Sequence, residues 1–309
     1  MEYMTLGCSE LNVSKVGLGA MRMGNRNASE NLETVNFALD QGINFFDSAD
    51  VYGKGQSSIN LGQALKASGI SRNQVIIQSK GGIVRTPSGN RVDFSTRQII
   101  NSVEEELRRL QVEYLDVFLL HRPDALVEPF EVAEAFNILV EQGKVRYFGV
   151  SNQNSGQIDL LKTAISQPLV TNQLQFGLMH SGIVDEGMRV NMTGDMAASH
   201  DGGILNYSRI HKMTIQTWSP LQIGYFGGVF IDNPEYVTLN KKLEEIADRH
   251  NTNKSAVAIA WTLRHPSQMQ VISGSMSNTH IQEMSEGSEI KLSRQEWYDL
   301  YQSAGNQVL

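Results

Sequence analysis

Apolar residues recur along this chain on two scales. Short runs enriched in β-branched and aromatic residues are each followed by a longer segment whose apolar residues lie three and four apart. The runs are Val16–Leu18, Ile43–Phe46, Val75–Ile77, Tyr114–Leu120, Val145–Val150, Leu169–Thr171, Thr214–Trp218 and Met269–Ile272. They are too short for helices, and their near-continuous apolarity is what parallel strands buried on both faces require. The segments between them read as helices. Ser95 is placed to cap a helix over Thr96–Leu110, whose Ile99, Val103, Leu107 and Leu110 share one face. Pro129 suits the first position of a helix carrying Phe136, Leu139 and Val140, and Gly143 lies just past its end. Leu32, Val35 and Leu39 form a stripe that stops at Gly42, and Leu239, Leu243 and Ile246 form another.

This alternation predicts an α/β fold, a single (β/α)8 TIM barrel over residues 1–309. The chain's 309 residues suit a barrel, which takes about 250 plus loop insertions. Alternation alone leaves an open, doubly wound sheet as the alternative. Met179–Ile204 breaks the rhythm, being rich in Gly, His and Met and periodic in neither sense. A loop this long is expected either to flank a substrate or to be a surface insertion without a role.

Composition narrows the picture mostly by exclusion. With 40% hydrophobic and 19% charged residues the chain is ordinary globular material. A net charge of −7 argues against nucleic acid as a partner, since a phosphate footprint is normally basic. The single cysteine, Cys8, permits no internal disulfide and fits a reducing compartment. The first residues lack a basic segment followed by an apolar run, and no stretch approaches the roughly 20 apolar residues of a membrane span. A cytoplasmic protein with no membrane partner is expected. The 7 histidines show no metal-ligand spacing, so no metal is expected.

In a barrel, chemistry gathers where strands end. The second run ends at Asp47, with Tyr52 in the loop beyond; the third leads through Gln78-Ser79 to Lys80, and the fourth ends at His121. Later runs end at Ser151-Asn152, Asn172-Gln173 and Ser219. Singly, each has an ordinary reading as a cap, a turn former or a solvated side chain. Together they bring an acid, a phenol, an amine and an imidazole to consecutive strand ends. An ammonium about 4 Å from a phenol favours the phenolate by roughly 4 kcal/mol, or about three pK units before desolvation. That predicts a polarised proton donor: Tyr52 lowered by Lys80, Lys80 kept charged by Asp47, and His121 as a second donor to a substrate oxygen.

With these residues placed, the chain resembles the aldo-keto reductase superfamily over nearly its whole length. Gly42–Gly53, reading GINFFDSADVYG, is similar to the family's first signature. Ser79-Lys80, Leu119–Asp124 (LLHRPD), Gly143–Asn152 (GKVRYFGVSN) and Trp218–Leu221 (WSPL) are similar to further segments in the same order. A bacterial oxidoreductase branch with poorly defined substrates looks closest, through His121–Asp124 and the ending Leu292–Trp297. The resemblance implies reduction of an aldehyde or ketone by hydride transfer from NADPH, with NADH as the alternative. It implies Tyr52 as proton donor, Lys80 and Asp47 as its tuning pair and His121 as the orienting residue. Ser151, Asn152 and Gln173 would hold the nicotinamide carboxamide, with Trp218 or an aromatic of the long loop enclosing the rings. Ser219, Pro220, Leu221 and Gly224 would face the pyrophosphate, and Gly19, Ala20 and Met21 would also approach the cofactor. No Gly-x-Gly-x-x-Gly occurs there, since Arg22 stands at the third glycine's place.

The family's grip on adenosine falls on Ser273, Gly274, Ser275, Met276, His280 and Glu283, and here the chain departs from the pattern. Many members carry Lys at 274, Arg at 280 and Asn at 284, where this chain has Gly274, His280 and Met284. Loss of two cations predicts NADPH binding with reduced discrimination against NADH. Pocket walls are expected from Met23–Asn27, Tyr52–Gln56, Arg85–Arg91, Met179–Asn206 and Tyr225–Phe230. Arg22, Arg85 and Arg122 are suited to an anionic group or to solvent. The expected partner is a small carbonyl substrate, and the expected state a monomer or weak oligomer. Two rival readings stay open: a cofactor-binding regulatory subunit, and a lyase or aldolase with Lys80 as Schiff-base nucleophile.

Overall fold

The structure, a computed structural model, describes residues 1–87, 89–192 and 201–308. Eight parallel strands close into a barrel in chain order. They are Val16–Gly19, Phe45–Asp47, Ile76–Gly81, Leu115–Leu120, Val145–Ser151, Leu169–Gln175, Thr214–Trp218 and Met269–Ser273. Each of the eight apolar runs became a barrel strand, which settles the barrel against the open sheet. The third and sixth strands continue beyond their apolar runs, through Gln78-Ser79-Lys80 and Asn172-Gln173-Leu174-Gln175. Their polar side chains are buried and paired inside the protein, so polarity did not end the strand.

Side chains alternate between the barrel interior and the helix layer. On the third strand Ile76, Gln78 and Lys80 face inward, while Ile77 packs in the helix layer and Ser79 donates to Glu106 of the helix Thr96–Leu110. On the sixth strand Val170 packs inside the barrel, yet Gln173, three residues on, also reaches inward to Asp47. A register shift between Leu169 and Asn172 reconciles them, because one irregular residue turns the alternation over.

The helices follow their predicted caps. Ser95 accepts from Gln98 N at the start of Thr96–Leu110, and Pro129 opens Pro129–Glu141. Two expected faces need correction. The helix Ala28–Asp40 buries Asn31, Thr34, Val35 and Ala38, while Leu32 and Leu39 are only half-buried. Its buried polar groups find local partners: Asn31 donates to Met23 O at 3.2 Å and Thr34 to Glu30 O at 3.0 Å. Val140 is exposed rather than buried, leaving Phe136 and Leu139 to hold that helix.

Two short hairpins were not legible as strands. Tyr3–Thr5 pairs antiparallel with Asn12–Ser14 across the barrel's N-terminal end, where Leu6, Leu11 and Val13 pack on Phe45, Val117, Leu119 and Val170. This plug lies close: a Cβ on Gly7 would stand 2.1 Å from Val170 O, and Gly7 has φ +54°. Ile83–Thr86 pairs with Gly89–Val92 at the opposite end. Within the long loop, Gly182–Met188 forms a helix and Ile204 opens another, Ile204–Ile210. Residues 193–200 of that loop lie outside the described residues. No helix among the described residues is long and apolar enough to cross a membrane.

Candidate active site

At the C-terminal end of the barrel the second strand delivers Asp47 and the third Lys80, while His121 follows the fourth and donates its N–H to Gly81 O at 3.0 Å. Tyr52 opens a tight turn in which Gly53, Lys54 and Gly55 take φ of 55°, 57° and 90°. Three left-handed residues in succession reverse the chain and leave the phenol over the barrel mouth. Lys80 Nζ lies 2.7 Å from Asp47 Oδ2, 2.8 Å from Ser48 O and 3.3 Å from Tyr52 Oη. The Tyr52 and His121 rings meet edge to face, 5.7 Å between centroids. The structure thus brings together the four side chains expected to act together.

Their electrostatics differ from expectation at one point. Burial raises the Tyr52 phenol above its ordinary value, against the pull of Lys80, with Asp47 pushing the same way as burial. The expected lowering of Tyr52 is therefore corrected: desolvation outweighs the ammonium. Burial alone would discharge Lys80, but Asp47 and Tyr52 overcome it and hold the amine above its ordinary value. Burial, then Lys80 and Arg122, push His121 well below its ordinary value, so the imidazole is neutral at neutral pH. His121 Nδ1 is buried without a hydrogen-bond partner among the described residues.

A second buried network holds the Tyr52 loop from behind. Glu106, fully buried, accepts from Ser79 Oγ at 2.5 Å, Ser58 Oγ at 2.7 Å and Arg109 Nη1 at 3.2 Å. Arg109 also donates to Asp50 O at 2.9 Å, two residues before Tyr52. Burial pushes the Asp50 carboxyl up to about 7; Ser102 donates to it at 3.0 Å and Glu106 repels its charge. Nothing in the local sequence tied Glu106 or Arg109 to this loop. Their link exists only once helix and barrel pack.

The four groups lie at one end of a cleft of about 660 Å³. Of the residues expected to line it, Gly19, Met21, Asp47, Tyr52, His121, Ser151, Asn152, Gln173, Trp218, Ser219, Pro220, Leu221, Gly274, Ser275 and His280 do so. Asn152 and Ser219 take φ of 57° and 51°, left-handed backbone held at two strand ends that face the cleft. Asn152 Nδ2 donates to Ser151 Oγ at 2.7 Å, and Trp218 Nε1 donates to Asn152 Oδ1 at 3.3 Å.

Several of the expected residues do not line the cleft. Lys80 sits behind Tyr52 rather than in the cleft wall. Ala20 and Ser273 are fully buried. The Gly224 carbonyl accepts from Gln175 Nε2, and Met276 packs on the core while its carbonyl accepts from Arg26 at 3.1 Å. Glu283 does not line the cleft, whereas its neighbour Met284 in the helix Asn278–Glu286 does. Arg22, Asp232, Ser255 and Ile272 also line it. Arg22 reaches over the Gly274 turn and donates to Gly274 O at 2.6 Å, so a Cβ on that glycine would lie 2.8 Å from its Nη1. Asp232 is ion-paired to Lys254. Arg22 was among the arginines expected to suit an anionic group, whereas Asp232 on a loop, Ser255 on the helix Lys254–Leu263 and Ile272 on the eighth strand reach the cleft only through barrel closure.

The residues present fit an extended dinucleotide. One continuous cleft joins Tyr52 to the Gly274–Ser275 turn, with hydroxyl, amide and guanidinium donors along it. Ser277 caps the helix Asn278–Glu286 without a side-chain hydrogen bond, leaving that first turn's N–H groups uncapped by it.

A profile described as "Aldo/keto reductase family" matches residues 15–304. A 6-dehydroglucose reductase of Agrobacterium fabrum is 30% identical over 302 residues, covering 94% of each chain. Oxidoreductase YdhF of Escherichia coli is 33% identical over 285 residues, covering 91% of this chain and 89% of its own. Among solved structures, an aldo/keto reductase from Klebsiella pneumoniae in complex with NADP and acetate aligns with a TM-score of 0.79. It is 22% identical, with 98% of this chain and 95% of that chain covered, a likeness of fold.

Proposed function

This chain belongs to the aldo/keto reductase family, and from that premise we propose that it reduces an aldehyde or ketone to the alcohol with NADPH, Tyr52 giving the proton. The observation that carries the reading is Lys80 Nζ held between Asp47 at 2.7 Å and Tyr52 Oη at 3.3 Å beneath an open cleft. Bound NADPH would supply a hydride to the carbonyl carbon. Tyr52 Oη gives its proton to the carbonyl oxygen and regains one from water. The raised phenol suits this direction, since Tyr52 arrives protonated at any neutral pH. Lys80 stabilises the phenolate as it forms, and Asp47 keeps Lys80 charged when the proton leaves. Neutral His121 orients the oxygen without competing for the proton. Ser151, Asn152 and Gln173 would seat the carboxamide, while Trp218, with Tyr225 at 6.1 Å and Phe226 at 6.3 Å, forms the outer wall.

Lys80 is a poor Schiff-base nucleophile in this setting. It is fully buried, charged and bonded to three oxygens, so no substrate carbonyl reaches its nitrogen. NADPH is the proposed cofactor because Arg22 offers a cation beside Gly274 and Ser275, and the Klebsiella neighbour was crystallised with NADP. Discrimination against NADH should stay modest, with His280 in place of a permanent cation. Purified protein should oxidise NADPH with some members of an aldehyde and ketone panel that includes 6-dehydroglucose, after the Agrobacterium relative's name. NADH should serve within about a thousandfold in kcat/KM. A protein that binds neither nicotinamide would contradict the reading, and a larger ratio in favour of NADPH would contradict the modest discrimination against NADH.

A further inference from the structure

Below Lys80 the barrel is not filled by apolar side chains alone. Gln78, Gln173, Gln216 and Gln270 point inward from the third, sixth, seventh and eighth strands, all buried. Strand register sets them at one level: Asp47 pairs with Gln78, Gln173 with Gln216, and Gln216 with Gln270. Gln78 then meets Gln216 across the barrel.

The polarity of this amide chain is fixed from its foot. The Ser14 carbonyl, in the N-terminal hairpin, can only accept, and it takes Gln270 Nε2 at 2.8 Å. That turns Gln270 Oε1 toward Gln216, which must present Nε2, at 2.9 Å. Gln216 Oε1 is thereby aimed at Gln78 and Gln173, whose Nε2 atoms donate to it at 2.8 and 3.2 Å. The same two nitrogens donate to Asp47 Oδ1, at 2.7 and 3.1 Å. Two amide nitrogens thus bridge two oxygens in a closed square, and Lys80 takes the other carboxylate oxygen. Gln78 Oε1 is left buried without a partner among the described residues. An unconstrained amide would turn to avoid that, but turning would set its oxygen against Asp47 and Gln216.

We propose that Gln216 is a positioning residue, anchored through Gln270 to the Ser14 carbonyl, which fixes the amides of Gln78 and Gln173 and so orients the Asp47 carboxylate and the nicotinamide seat together. It rests on the reading that Asp47 serves Tyr52 through Lys80 and that Gln173 meets the cofactor. Gln216 touches neither substrate nor cofactor. Its effect on rate passes through Asp47, and its effect on binding through Gln173.

The test compares Gln216→Met and Gln216→Glu with wild type. Methionine keeps the length of the side chain and removes both polar ends. It should lower kcat about ten- to a hundredfold, the size of effect a small misplacement of reacting groups produces, and weaken NADPH binding measured by fluorescence. A protonated glutamate can accept from both amides and donate its O–H to Gln270. Burial and the neighbouring Asp47 carboxylate raise its pKa, so it stays protonated through neutral pH, with Lys80 beyond Asp47 the nearby cation. Gln216→Glu should therefore work nearly as wild type on the acid side and fail as pH rises through that raised value, where wild type does not. A merely structural role predicts instead that the glutamate variant follows the methionine variant at every pH, which would overturn the proposal. Unchanged kcat and NADPH affinity in Gln216→Met would also overturn it. If wild type oxidises NADPH with no carbonyl, the reductase reading fails, and the amide chain is judged without catalysis. The side-chain NH2 hydrogens of Gln78 and Gln173 should exchange slowly in wild type and faster in Gln216→Met by NMR; equal rates would count against it.

Discussion

The two ends of the cleft are built on different principles. At the Tyr52 end, Lys80 and Asp47 are withdrawn from solvent: Asp47 accepts from Gln78 and Lys80 of the third strand and Gln173 of the sixth, and Lys80 donates to Asp47 and to Ser48 O. At the Gly274 end, Arg22 and His280 are exposed, and Ser275 meets His280 Nδ1 at a loose 3.3 Å. Charge in a low-dielectric interior interacts strongly and is expensive to leave unpaired, whereas exposed charge is screened and replaceable. The buried end should therefore respond to mutation steeply and cooperatively, and the exposed end gently and additively.

Lys80→Met offers the largest contrast. It should lower kcat by about a thousandfold and destabilise the fold by about 3–5 kcal/mol, because it strands Asp47 as a buried charge. Adding Asp47→Asn should restore much of the stability and none of the rate, as thermal unfolding and NADPH oxidation would read. If the double variant is no more stable than Lys80→Met, the buried pair is not the coupled unit described.

Asp50 sharpens the comparison from behind the Tyr52 loop. Its carboxyl ionises near 7 in the folded chain against an ordinary 3.8, so the folded state keeps a proton that the unfolded chain has released. Its contribution to stability is thus full below about pH 4 and falls away as pH rises to about 7. Asp50→Asn removes that titration, and the variant should lose about 3 kcal/mol less stability than wild type between about pH 5 and 8. Parallel unfolding curves for the two proteins across that range would contradict this.

The smallest effect is expected at the exposed end. Arg22→Ala should raise KM for NADPH about tenfold, leaving kcat and the NADH parameters nearly unchanged. An equal loss with both cofactors would move Arg22 from phosphate recognition to support of the Gly274 turn.

The same contrast governs how far sequence reasoning reached. Barrel strands carry apolar runs, and the four side chains proposed to act follow them, so the gathering of Asp47, Lys80, Tyr52 and His121 was readable from position and chemistry. The sign of the Tyr52 shift was not, because it depends on how deeply the phenol is buried. The hairpin Tyr3–Thr5 with Asn12–Ser14 is too short to announce itself, and the irregularity in the sixth strand hides which face Gln173 takes. Gln78 and Gln173 stood at the ends of apolar runs while Gln216 and Gln270 lay within them, so only register places all four in one interior layer. Arg22 was visible as a charge, but its place over Gly274, more than 250 residues away in sequence, follows only from barrel closure.

The most direct measurement is NADPH oxidation at 340 nm by wild type and Tyr52→Phe, with NADPH binding to each followed by fluorescence. The arrangement of Tyr52, Lys80 and Asp47 predicts that the phenylalanine variant binds NADPH as wild type does and loses at least about a hundredfold in kcat. A variant that binds NADPH normally and turns over at the wild-type rate would show that Tyr52 is not the proton donor.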